Sequence, residues 1–125
     1  MSTITVTNIK ATGETASRAV SGVAAAWCKR GGLTTPSILN SSNISSLTDI
    51  NTGMVQYNFS NSFSDANHSI VAMGTDNSDG SNARINASTA TTNTSSYGIV
   101  YTFNTYSLEV FKDCETHVSI HGDLA

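Results

Sequence analysis

The sequence predicts an all-β fold: an antiparallel β-sandwich preceded by a short N-terminal strand and a small-residue arm. Three observations carry this expectation. Apolar residues fall in short runs that alternate with polar ones, the period of a half-buried strand. Clusters of Gly, Asn, Asp and Ser separate those runs at short spacing. The composition is low in charge: of 125 residues 12 % are charged and 38 % hydrophobic, while Ser, Thr and Asn together number 48. Charged usage is about half of the ordinary quarter, so hydroxyls and amides must solvate the surface. Disordered chains combine few apolar residues with many charges, and this chain does not.

The elements follow in order. In Thr3 to Lys10, Ile4 and Val6 face one way and Thr5 and Thr7 the other, which predicts a short strand. Thr12-Gly13 breaks it. Ala16, Ala19, Val20, Val23, Ala24 and Trp27 then recur at spacings of three and four, which predicts a helical stripe of mostly small residues, with an extended arm of coincidental spacing as the alternative. Such a stripe buries little by itself and needs a sheet or copies from other subunits to pack against. Lys29-Arg30-Gly31-Gly32 and the only proline, Pro36, mark a boundary. The expected division is therefore an anchoring and oligomerisation arm over 1–30 and a β-sandwich domain over 31–125.

Downstream, Ile38 to Leu47 reads as one run, and Asn51-Thr52-Gly53 as a turn able to supply positive φ. Met54 to Phe59 places Val55, Tyr57 and Phe59 on one face, to which Phe63 adds. Ser64 to Asn67 turns the chain, and Ser69 to Met73 is a short strand. Asp76 to Asn82 is a polar loop, Arg84 to Ala87 a weak strand and Thr89 to Ser95 a second polar loop. Tyr97 to Phe103 places Tyr97, Ile99, Tyr101 and Phe103 on one face, and Tyr106 to Phe111 and Thr116 to Ile120 complete the set. Tyr57, Phe59, Ile70, Ile99, Tyr101, Leu108 and Val110 are the expected inward positions.

Several function classes fall away. A net charge of −3 with six Lys and Arg gives no basic footprint for nucleic acid. No run of 18 apolar residues is present, so no membrane insertion is expected. The N-terminus lacks a charged region followed by an apolar core, so no secretory signal is expected. Cys28 and Cys114 lie far apart and outside any CxxC, which predicts two buried thiols rather than a disulfide.

No phosphate loop, dinucleotide fingerprint, HExxH or GxSxG is present, and no acid–base pair is distinctive, so no catalytic residue and no cofactor is expected. The Asp76–Asn82 loop fits a calcium loop poorly: counted back from Gly80, position 1 is Thr75 and position 12 is Asn86. Cys114, His117 and His121 have C-x-x-H and H-x-x-x-H spacings, but one chain offers too few ligands for a defined site, and no metal is expected. The six N-x-[ST] sequons, Asn40, Asn43 and Asn58 among them, follow from composition.

One stretch goes beyond composition. Val20-Ser21-Gly22-Val23-Ala24-Ala25-Ala26-Trp27 is followed by Ser42-Asn43-Ile44-Ser45-Ser46-Leu47-Thr48-Asp49, Gly53, Val55-Gln56-Tyr57-Asn58-Phe59 and Asp65-Ala66-Asn67-His68-Ser69. This order resembles a domain of tail-fibre and other fibre proteins of bacteriophages, especially marine ones. Two departures are visible: Cys28-Lys29-Arg30-Gly31-Gly32 replaces an aromatic and a Gly-Thr-rich hairpin, and His68 stands where the family has Tyr. The resemblance implies a homotrimeric virion structural protein, assembled in the host cytoplasm, that binds other virion proteins and catalyses nothing.

Tail-fibre-type binding of a host-cell receptor is the expected function. A capsid decoration protein or head fibre is the alternative, and a small lectin-like module is a more distant one. The polar loops suit a surface glycan. Asp76, Asn77, Ser78, Asp79, Ser81, Asn82, Asn93 and Tyr97 are the candidate receptor-binding residues. Ile4, Val6, Val20, Val23 and Trp27 are the candidate oligomerisation and anchoring residues.

Overall fold

The computed structural model describes residues 5, 8–9, 18–19, 24–75, 83–86, 94–104 and 110–125. Its strands in chain order are β1 (Asn8–Ile9), β2 (Arg18–Ala19), β3 (Ala24–Gly31), β4 (Ser37–Ser42), β5 (Ile44–Asn51), β6 (Met54–Phe59), β7 (Ser69–Thr75), β8 (Ala83–Asn86), β9 (Tyr97–Asn104), β10 (Val110–Phe111) and β11 (Glu115–His121). Among the described residues β1 and β2 pair only with each other. The remaining strands form two antiparallel sheets packed face to face, a β-sandwich. One has four strands in the order β4-β3-β11-β7. The other has five, in the order β10-β9-β6-β5, with β8 also paired to β9. The chain crosses between sheets after β4, β6, β7 and β10.

β3 corrects two expectations. Ala24–Gly31 is an inner strand, hydrogen-bonded to β4 and β11. The boundary expected at residue 30 therefore falls inside a sheet strand, and the helical stripe does not continue through Ala24 and Trp27. Read with a period of two, Ala26, Cys28 and Arg30 face inward and Trp27 and Lys29 outward. The spacing of three and four arose because alanines stand on both faces of the strand. Arg18–Ala19 is likewise extended.

The run from Ile38 to Leu47 is divided between the two sheets at Asn43, whose φ is +56°. Asn, with its short amide, tolerates this left-handed backbone. The Asn43 side chain fixes the corner: Nδ2 donates to the carbonyl of Asn61 at 3.1 Å, and Oδ1 accepts from the Asn61 amide at 2.7 Å. The next hairpin turns through Thr52 and Gly53, with Asn51 opposite Met54. Gly53 has φ +67°, and a Cβ there would stand 2.5 Å from the Thr102 carbonyl oxygen. Its carbonyl accepts from the Thr102 amide and its own amide donates to Asp113 Oδ1, both at 2.8 Å.

Val55, Tyr57, Phe59 and Phe63 are buried as their alternation predicts, and pack with Ala26, Cys28, Ile44, Val100, Val118 and Ile120 between the sheets. Cys28 and Cys114 are both buried and not joined to each other. Burial pushes the Cys28 thiol up to about 11 and, as the largest influence, the Tyr57 phenol up to about 12. β9 departs from the expected facing. Val100, not Ile99 or Tyr101, belongs to the inter-sheet core. A Cβ on Gly98 would meet Ile70 Cδ1 at 2.8 Å, so Gly98 also faces inward. Ile99 and Tyr101 are buried on the opposite face, in register with Gln56 and Met54. Phe103 and Phe111 stack there with ring centroids 4.6 Å apart. Ile70 packs partly buried against the core. Leu108 and the side chain of Val110 lie outside the described residues.

Arg30 is 1 % exposed in this interior. One of its guanidinium nitrogens donates to the Gly32 carbonyl at 3.4 Å and stands 3.8 Å from Asp113 Oδ1, and its Nε has no hydrogen-bond partner. At the far end of the core, His68 packs edge-on to Phe59 at 5.3 Å and lies tilted against Phe63 at 4.8 Å.

Candidate functional site

The outer face of the four-stranded sheet carries exposed apolar side chains set among polar ones. Across it run two rows of outward side chains. In one, Trp27 stands between Ser42 and Ser119, and Ser119 is opposite Val71. In the other, Lys29 stands between Asn40 and His117, and His117 is opposite Met73. The rows arise from the strand period, which sends alternate residues of each strand to the same face. They border an open trough of about 400 Å³. Trp27 is 39 % exposed, Val71 60 % and Met73 73 %. Soluble domains seldom leave apolar side chains grouped in this way unless something covers them. Lys29, Asn40, His117 and Ser119 supply hydrogen-bonding groups around the indole.

The outer face of the other sheet is polar where β5 and β6 lie. Asn58 Nδ2 donates to Ser46 Oγ and Thr48 Oγ1, both at 3.0 Å, and Gln56 Nε2 donates to Asn58 Oδ1 at 2.6 Å. Tyr97 stands opposite Asn58 on this face and is half-buried. Its amide donates to Thr94 Oγ1 at 3.2 Å.

Of the candidate receptor-binding residues, the structure thus places Tyr97 alone, on the side of the sandwich away from Trp27. Asp76, Asn77, Ser78, Asp79, Ser81, Asn82 and Asn93 lie outside the described residues. Of the candidate oligomerisation residues, Trp27 is on the sheet rather than in a separate arm, and Ile4, Val6, Val20 and Val23 lie outside the described residues. Val71 and Met73 are the surface residues that the sequence reading missed. Their alternation with Ile70, Ala72 and Gly74 was visible, but an apolar residue on each face of a strand does not say which face meets water.

The metal-like spacing is divided by the sheet. Cys114 is buried, His117 and His121 are on the outer face, and Ser119 Oγ lies 3.1 Å from His121 Nε2. Among the described residues no three His, Cys, Asp or Glu side chains gather as a metal site. Asp65 Oδ1 accepts from the Asn67 amide at 2.7 Å, the local turn bond that an Asp in this position makes. Burial lowers the proton affinity of His68 below the ordinary value, and Asp65 offsets part of that. Among the described residues no helix is long and apolar enough to cross a membrane.

No protein-family model, no curated protein and no solved structure matches this chain. What defines it is a β-sandwich whose four-stranded sheet carries an exposed tryptophan on its outer face and whose other sheet is polar on its outer face along β5 and β6.

Proposed function

We propose that this chain is a non-catalytic binding and structural module of the bacteriophage tail-fibre kind, carried on a virion as a homotrimer and directed at a glycan of the host-cell surface. The observation that carries the binding reading is the exposed Trp27 indole in a trough edged by Lys29, Asn40, His117 and Ser119. A pyranose has an apolar C–H face and a rim of hydroxyls. A flat aromatic ring with hydrogen-bonding groups around it matches both. The trimeric and virion parts of the reading rest on the fibre-like order of segments from Val20 to Ser69. The N-terminal segment with Ile4, Val6, Val20 and Val23 is the proposed trimer contact.

The test is binding of the intact protein to an array of bacterial surface glycans, with Trp27→Ala beside it. A partly exposed side chain on an outer face contributes little to folding, so the variant should melt close to the parent. The expected result is retention of a defined glycan class and at least a tenfold loss for Trp27→Ala. Retention of none, or equal binding by the variant, overturns the glycan reading. Density on the capsomers in a map of the whole particle would replace it with capsid decoration.

A further inference from the structure

The trough around Trp27 is charged in one sense only. Lys29 stands two residues on from Trp27 on the same face of β3, with His117 directly opposite it on β11 and Asn40 opposite it on β4. All three are exposed. Among the described residues that border the trough none is Asp or Glu. The chain as a whole has nine acids against six Lys and Arg, so a trough with a lysine and no acid runs against its charge balance. Among the described residues Lys29 has no carboxylate partner. Glu115, an acid on the same face of β11, stands opposite Thr75 and does not border the trough. The hydrogen-bonding capacity is one-sided as well. An ammonium only donates, and an imidazole donates through whichever nitrogen carries its proton. Asn40 Oδ1 already accepts from the Ser41 amide at 2.9 Å, which leaves Nδ2 to donate.

We propose that the sugar bound over Trp27 is an acidic one, a pyranose whose carboxylate meets Lys29 between Asn40 and His117. The inference rests on the glycan reading above and adds to it the charge of the ligand. A neutral sugar presents hydroxyls, which donate as well as accept. A carboxylate only accepts, so it uses all three donors, and its charge meets an ammonium that has no other carboxylate. Residues two apart on a strand are separated by about 6.7 Å. The flexible four-carbon stem of a lysine spans such an interval, so the ring can lie on the indole while its acid group reaches the ammonium. A uronic acid has this form, with a carboxylate in place of the primary alcohol of the neutral sugar. One ammonium balances one negative charge, which favours a carboxylate over a doubly charged phosphate monoester.

The experiment is binding of the full chain to oligosaccharides of galacturonic, glucuronic and N-acetylneuraminic acid. Each is set beside the same oligosaccharide with its carboxyls reduced to alcohols, and beside that reduced form phosphorylated on the new alcohol. Low ionic strength is used, where an exposed charge pair is least screened. Lys29→Gln, Trp27→Ala and, as a control for net charge, Lys112→Gln are measured with the parent. Lys29 is exposed, so its variant should melt as the parent does. The expected result is preference for one of the carboxylated sugars over its reduced form, with a loss of about three- to tenfold in Lys29→Gln and none in Lys112→Gln. Equal binding of acidic and reduced forms, acid binding unchanged in Lys29→Gln, or tighter binding of the phosphorylated form overturns the proposal. Equal loss in Lys29→Gln and Lys112→Gln also overturns it, since net charge alone would then act. In each of these cases a loss in Trp27→Ala leaves the glycan reading standing. Binding of no acidic sugar overturns the proposal too, and retention of a neutral glycan on the array then keeps the glycan reading, whereas retention of none removes both.

Discussion

The Tyr57 hydroxyl and the Thr116 hydroxyl lie 2.6 Å apart, a hydrogen bond that crosses the interior from one sheet to the other. Both residues are fully buried. Each hydroxyl therefore depends on the other for what water would otherwise supply. Tyr57→Phe should cost about 1–3 kcal/mol, because it leaves the Thr116 hydroxyl buried without this partner. Thr116→Val should cost a similar amount. The double variant should lose clearly less than the sum, since both ends of the bond are then apolar. Urea unfolding of the four proteins checks this, and strict additivity would show that the two hydroxyls are not coupled.

Gly53 closes the β5–β6 hairpin at a place where three segments meet. Gly53→Ala should cost at least about 1–3 kcal/mol from its positive φ alone. The overlap of a Cβ with the Thr102 carbonyl oxygen adds to that, because the oxygen belongs to the backbone and a Cβ has no torsion by which to avoid it. The denaturation midpoint should fall with little change in its slope. An unchanged midpoint would mean that the hairpin turns in another way.

Arg30 and Asp113 should respond unequally to replacement. A buried ion pair often gives back in attraction no more than its desolvation costs. Arg30→Met removes a charge whose Nε is without a hydrogen-bond partner, and should leave stability within about 1 kcal/mol of the parent or raise it. Asp113→Ala leaves the guanidinium buried without its carboxylate and the Gly53 amide without its acceptor, and should cost about 1–3 kcal/mol. Thermal melting of the two variants decides, and the reverse order would show that the ion pair is a net source of stability.

His68 should make the protein acid-sensitive before its carboxylates titrate. Its folded-state pKa lies below 6.5, because burial among Phe59 and Phe63 disfavours the imidazolium. As pH falls through 6.5 the unfolded chain takes up a proton there before the folded one does. Stability is therefore fully present above that pH and declines between 6.5 and the lowered folded value. The slope is at most about 1.4 kcal/mol per pH unit for one proton. His68→Phe should flatten this part of the curve. A parent whose stability is level from pH 7 to pH 5 would place a partner on the ring.

The fold was legible in the sequence where one face of a strand is buried and the other wet. β6 is the example: Val55, Tyr57 and Phe59 alternate with Met54, Gln56 and Asn58, and the turn at Gly53 closes the strand. β9 was legible as a strand but not in its facing, because Ile99 and Tyr101 are buried on one side and Val100 on the other. Alternation cannot choose between two covered faces. β3 was misread because small residues on both faces of a strand satisfy a helical spacing as well. The division of the Ile38–Leu47 run turned on a single backbone angle at Asn43. The trough became visible only when β3, β7 and β11 were set side by side, since Trp27, Val71 and His117 are distant in sequence.

The chain holds a single tryptophan, and it lies on an outer face rather than in the core. Its emission therefore reports on a different event from the one it reports in most small domains. Loss of the fold changes the surroundings of a half-wet indole only in part. Anything that settles over the trough removes water from the ring and moves its emission to shorter wavelength. Intrinsic fluorescence, read without label or substitution, is in this protein a gauge of occupancy.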